Sequence, residues 1–240
     1  MKIGLAQIQS KSGDVNHNLK LHLDYLRLAD ENGADLVCFP ELSLSGYEPE
    51  LAHQYVTNTL DSLWDSIQLF CNRTGIVACI GMPSPGVVKP RISMFVVQPH
   101  TSILIYSKQK IHLDEMPYFE EGDKDLLLDW GNEKIVPAIC YESLHEDHAK
   151  RAKANGATIY LASVAKSAGG VEKAKQYYPK MAAELGMKVG MVNSLGPQSD
   201  FHSAGQSAIW NADGSSIGNL GSGQEGLLIW DVESATFRVA

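Results

Sequence analysis

The stretch Val136–His148, VPAICYESLHEDH, closes an apolar run on Cys140 and turns polar at once. Such a run followed by a polar, helix-compatible segment reads as a buried strand, a loop and a helix. The cysteine at the changeover is open to four readings: a packing residue, a redox thiol, a metal ligand or a nucleophile. Outward from it the same alternation recurs. Downstream, ATIYLASV is a strand, a helix covers about 171–185, and KVGMVNS is another strand. GQSAIWNADGSSIGNL then forms a hairpin turned on Asp213-Gly214, and GLLIWDV is a last strand. The helix after Cys140 spans about 144–155 and stops at NGA.

Upstream, KIGLAQIQ is a strand, and Leu19, Leu23, Leu26 and Ala29 have helical spacing, with Asn16 or Asn18 as N-cap and Gly33 as the stop. DLVCFP is a buried strand broken by Pro40, and a second helix runs from about Ala52 to Asn72, with Leu60, Leu63 and Leu69 among its apolar positions. Gly75 ends it before IVACIGM, and RISMFVVQ and TSILIYSK pair as antiparallel strands around PHT. Interleaved helices and strands with hairpins among them predict an α/β fold of mixed sheets covered by helices. Without a Pro- or Ser-rich linker or a repeat, residues 1–240 are expected to form one domain.

Composition narrows the partners. With 44% apolar and 20% charged residues the chain is ordinary for a globular protein, and its formal net charge of -8 opposes a nucleic-acid or anionic membrane partner. The opening MKIGLAQIQS turns polar at Gln7, and no later run approaches the length that spans a bilayer. A soluble, cytoplasmic protein with a small-molecule ligand is expected. Four cysteines without a CxxC pair make no disulfide scaffold; Cys38 and Cys79 lie in strand-like runs and Cys71 near a helix end, as small hydrophobes.

Three ionisable residues stand where strands run out: Glu41 after Pro40, Lys108 after ILIYS, and Cys140. Loops at strand ends project side chains without disturbing the core. Together the three would supply acyl transfer: a carboxylate takes the thiol proton, and an ammonium and the Tyr141 N–H hold an oxyanion, with a helix onset beyond Cys140 adding a favourable dipole. His145 and His148 offer a Cys/His alternative. HEDH at 145–148 lacks the spacing of a helical zinc motif, and the glycine clusters match no nucleotide loop, so no metal or cofactor is expected.

PELSLSGY, YSK and CYE, in that order, resemble the nitrilase superfamily, the carbon-nitrogen hydrolases, along essentially the whole chain. The resemblance implies Glu41 as general base, Lys108 rather than Lys110 as electrostatic stabiliser, and Cys140 as nucleophile. EMPYFEEG resembles a further family segment, which implies Glu115 as a fourth polar residue of the pocket. The family's proline after the cysteine motif is missing, and Arg151 is shifted from the common arginine position. The resemblance further implies a four-layer αββα sandwich of two mixed β-sheets flanked by helices, and a homodimer through the outer helices. The activity implied is hydrolysis of a small amide through a thioester, with a nitrile as the alternative substrate and a non-catalytic ligand-binding protein as the alternative class. Loops near Tyr47, 115–120, Tyr141 and Val164–Ala168 are expected to shape the pocket, with Tyr47, Tyr141 and Val164 touching substrate.

Overall fold

Burial on both faces of most strands makes the apolar runs nearly continuous, and the computed structural model, covering residues 1–240, sorts them into layers. In chain order the elements are β1 (Lys2–Gln7), α1 (Val15–Glu31), β2 (Leu36–Cys38), α2 (Asp65–Thr74), β3 (Val77–Ser84), β4 (Arg91–Val97), β5 (Leu104–Ser107), β6 (Leu128–Trp130) and β7 (Glu133–Ile139). They continue with α3 (Glu146–Ala154), β8 (Ile159–Val164), α4 (Ala168–Leu185), β9 (Lys188–Asn193), β10 (Leu195–Pro197), β11 (His202–Ala204), β12 (Ala208–Trp210), β13 (Ser216–Asn219), β14 (Gly226–Asp231) and β15 (Thr236–Val239).

Of the two large sheets one has the order β15-β14-β1-β2-β3-β4-β5 and the other β13-β12-β9-β8-β7-β6, while β10 and β11 pair as a separate ribbon. The β1-β2-β3 and β7-β8-β9 neighbours are parallel and their flanks antiparallel, so both sheets are mixed. Side-chain alternation then builds three cores. Ile3, Leu5, Leu36 and Leu228 of the first sheet meet Ile135, Ile159, Leu161 and Val192 of the second. The opposite faces pack Val37, Ala78, Phe95 and Ile229 against Leu26 of α1 and Ile67 of α2, and Val136, Tyr160, Ala162 and Met191 against Ala149 of α3 and Tyr178 of α4. The result is the four-layer αββα sandwich.

Cys38 and Cys79, cross-strand neighbours, lie in the inter-sheet core and Cys71 on the buried face of α2, all three buried and free. No helix is long and apolar enough to cross a membrane.

Several expected boundaries move. Asp14, not Asn16 or Asn18, caps α1 by accepting from the His17 N–H, whereas Asn18 is fully buried and bonds Lys11 and Leu44 instead. The second helix starts at Asp65, because Pro49 opens a separate 3-10 turn and the Asp61 carboxylate takes the Thr57 hydroxyl and Asn58 N–H into a turn of its own. Leu60 and Leu69, expected on the apolar face, are 92% and 70% exposed. The strands β6, β10, β11 and β15 are additions to the sequence-based expectation. β15 follows the expected last strand and pairs with it.

Two buried histidines give the fold an acid limit. His22 bonds Asn18 O at 2.7 Å and Ser43 Oγ at 2.9 Å, and His148 bonds Tyr106 and Tyr160. Burial lowers both to about 4. The unfolded chain takes up these protons near pH 6.5 and the folded one refuses them until about 4, so stability present above 6.5 is lost as pH falls through that window. The urea midpoint should therefore fall between pH 6.5 and 4, and His22→Phe should make the fall shallower.

Candidate active site

Glu41 sits in the turn that follows β2, 2% exposed, and the next residue, Leu42, has φ +51°. That turn lies directly on β3 because residue 81 is glycine: a Cβ there would come within 2.4 Å of the Leu42 nitrogen and 2.6 Å of the Pro40 oxygen. Glu41 Oε1 accepts from Lys108 Nζ at 2.8 Å, while Oε2 is buried without a hydrogen-bond partner. Burial raises the Glu41 carboxyl above the ordinary range, opposed by Lys108 and, further down, by the Cys140 thiol.

Lys108 follows β5 and is fully buried. Its backbone is pinned at both ends, donating to Ile92 O at 2.8 Å and accepting from the Gly122 N–H at 2.7 Å. Gly122 ends the EMPYFEEG segment, and a side chain there would strike Ser107 O at 2.3 Å. The ammonium has three protons and three close acceptors: Glu41 Oε1, Glu115 Oε1 at 2.6 Å and Glu115 Oε2 at 2.8 Å. Burial alone would lower this lysine, but the two carboxylates outweigh it and hold it above the ordinary range. Glu115 also accepts from Tyr47 Oη and from the His112 N–H, both at 2.7 Å.

Cys140 directly follows β7, in the left-handed region at φ +45°, and opens a 3-10 turn, Cys140–Leu144. Such a turn is short, so the helix dipole expected at the sulfur is absent; α3 starts only at Glu146. Tyr141 is the second residue of the turn, where the N–H has no acceptor within it. What holds the strained cysteine is Glu142, fully buried, whose Oε1 accepts from the Ile139 N–H and Tyr106 Oη at 2.7 Å and whose Oε2 accepts from the Gln109 N–H. Burial pushes Glu142 up to about 7. Burial, then Glu41, pushes the Cys140 thiol up to about 11, against the Lys166 and Lys108 cations.

Glu41, Lys108, Glu115 and Cys140 thus converge from three connections, Lys108 and Glu115 both lying between β5 and β6. Tyr47 joins them as a buried partner of Glu115, its ring edge-on to Phe201. Tyr141 stands at the rim, 37% exposed, between the rings of His112 and His145. Val164 does not line the site: it shares the α-helical face of β8 with Tyr160 and Ala162, and the pleat turns Ser163 and Ala165 the other way. Lys110 pairs with Asp147 near the surface, and His148 is consumed by two tyrosines, which removes it as a partner for Cys140. Sequence reasoning missed Lys166, whose Nζ lies 3.8 Å from Cys140 Sγ. A lysine that ends an otherwise apolar strand run, before the small residues SAGG, was the available signal.

The carbon-nitrogen hydrolase family model matches residues 2–240. Among solved structures, an amidase variant from Nesterenkonia sp. AN1, with acrylamide added at its active-site cysteine, superposes with a TM-score of 0.88 at 26% identity, covering 96% of this chain and 92% of that one. Another variant of that amidase, in complex with butyramide, gives 0.87 at 26%, covering 95% and 89%. A glutamine-dependent NAD(+) synthetase of Thermotoga maritima is 27% identical over 231 residues, 90% of this chain and 39% of that protein. One from Aquifex aeolicus is 25% identical, over 95% and 41%. The chain therefore spans about two fifths of these curated relatives. With a match along almost its full length and the sandwich fold in place, this chain belongs to the carbon-nitrogen hydrolase family.

Proposed function

We propose that the chain is an amidase that opens small amides through a Cys140 thioester. The observation that carries this reading is the orphaned Glu41 Oε2, a buried acceptor on a carboxylate whose other oxygen is already committed to Lys108. In this scheme Glu41 takes the Cys140 proton and the thiolate attacks the amide carbonyl carbon. The oxyanion is held by the Tyr141 N–H and by Lys108, which exchanges one of its two Glu115 contacts for it. The C–N bond breaks as the nitrogen takes a proton from the Glu41 carboxyl, and Glu115 keeps Lys108 in register. Glu41 then activates water, which cleaves the thioester to the acid and frees the thiol. The amidases among the solved neighbours support this choice over nitrile hydrolysis.

A second reading is favoured by the curated relatives. It makes glutamine the amide and the chain the ammonia-releasing part of a glutamine-dependent synthetase. Ammonia release measured over amides including glutamine, carbamoyl compounds and nitriles, with Cys140→Ala as blank, decides among them. Release from simple aliphatic amides upholds the amidase, release from glutamine alone selects the second reading, and no release above the blank defeats both. Gly81→Ala should lower kcat/KM on the best substrate by about 10²-fold by displacing Glu41 while leaving the thiol in place. A cytoplasmic setting and a homodimer joined through the outer helices belong to the same proposal. Sedimentation of the purified chain tests the dimer.

A further inference from the structure

Lys166 is 6% exposed and directly follows β8. Its backbone is clamped by a buried amide: the Lys166 N–H donates to Asn193 Oδ1 at 2.7 Å, and Lys166 O accepts from Asn193 Nδ2 at 3.0 Å and from the Ala204 N–H at 2.9 Å. Asn193 is itself fully buried and tied to Gly205 O and Ser207 Oγ. Gly170, in the first turn of α4, leaves room for the lysine stem, since a Cβ there would lie 3.1 Å from Lys166 Cβ. The ammonium makes no ion pair with any carboxylate, and its close contacts are Cys140 O at 3.5 Å and Cys140 Sγ at 3.8 Å.

Charge explains why a cation is useful there. Lys108 is matched by two carboxylates, Glu41 and Glu115, so those three groups together carry one negative charge. Passing the thiol proton to Glu41 leaves that total at one but moves a negative charge from a carboxylate bonded to Lys108 at 2.8 Å onto the sulfur, which has Lys166 Nζ 3.8 Å away, in surroundings that weaken screening. We infer that Lys166 is a further catalytic residue, the counter-ion that stabilises the Cys140 thiolate as Glu41 removes its proton. In that step the S–H bond breaks, its electron pair stays on sulfur and the proton goes to Glu41; Lys166 keeps its own proton throughout. The groups facing the sulfur are Glu41, Lys108, Glu115 and Lys166, with the Tyr47 and Tyr178 phenols beyond them. Among the cations, Lys166 acts on the thiol more strongly than Lys108 does.

The inference rests on Cys140 as nucleophile, and alkylation separates it from the proposed activity. Iodoacetamide modification of Cys140, read by peptide mass spectrometry between pH 7.5 and 9.5, reports the thiolate fraction directly. Lys166→Met should slow it about tenfold at each pH, the effect of a thiol midpoint raised by about one unit, and Lys166→Arg should restore most of the rate. On a substrate found in the ammonia screen, Lys166→Met should lower kcat by about 10–100-fold with KM little changed. If the Met variant loses the fold, Lys166→Gln carries the same comparison. Unchanged alkylation in a folded variant overturns the inference, as does a KM effect confined to carboxylate-bearing amides, which would make Lys166 a substrate-anion site. Lysine-dependent alkylation in a chain that releases no ammonia leaves the inference standing and defeats the proposed activity.

Discussion

Cys140→Ala should lower amide hydrolysis by about 10⁴-fold or more, the scale of removing a nucleophile that forms a covalent intermediate. The change leaves the Glu41–Lys108–Glu115 cluster whole, because its ion pairs do not run through the sulfur. Loss of activity with an unchanged urea midpoint is therefore expected. Intact mass after a rapid quench should show an acyl adduct on the wild-type chain and none on the variant. A variant that retains turnover would remove the thioester from the mechanism.

Lys108→Met has the second large effect, and it acts on both stability and rate. The substitution leaves Glu41 and Glu115 facing a buried space without the cation that bonds them at 2.6 to 2.8 Å. Stranding buried charge in this way costs about 3–5 kcal/mol, which for a chain of this size lowers Tm by about 10 °C. The loss has a definite pH sign. Without the ammonium the Glu41 carboxyl, already raised by burial, loses the cation that opposes that rise, so the variant is most impaired at pH 8 and recovers as pH falls toward 5 and a proton takes the place of the cation. Melting curves at the two pH values check this, and an equal deficit at both would show that the carboxylates are not stranded. Hydrolysis should be lost at either pH.

Much of this site was legible because strand ends are legible. DLVCFPE, ILIYSK and IVPAIC each show an apolar run stopping at an ionisable residue, and the sheets carry those three stops to one place. Val164 went astray by one residue, because the run TIYLASV is apolar on both faces and its pleat phase depends on pairing with β7 and β9 rather than on composition. The second helix was overextended because leucines at 60, 63 and 69 mimic an apolar face, whereas the turn at Asp61 is made by side-chain bonds that local hydrophobicity does not record. Lys166, and the clamping role of Glu142, were hidden for a related reason. A charged residue beside a motif reads as a solvated loop until the chain folds over it, and both owe their burial to segments remote in sequence.

Glu142 has a mechanical side. It grips an amide in β7, which belongs to one sheet, and another just beyond β5, which belongs to the other. The spacing between sulfur and ammonium is therefore set by a rivet through two plates, and sliding of those plates would be felt at the reacting atoms first. Hydrostatic compression, which acts on internal voids, should disable turnover well before it melts the secondary structure.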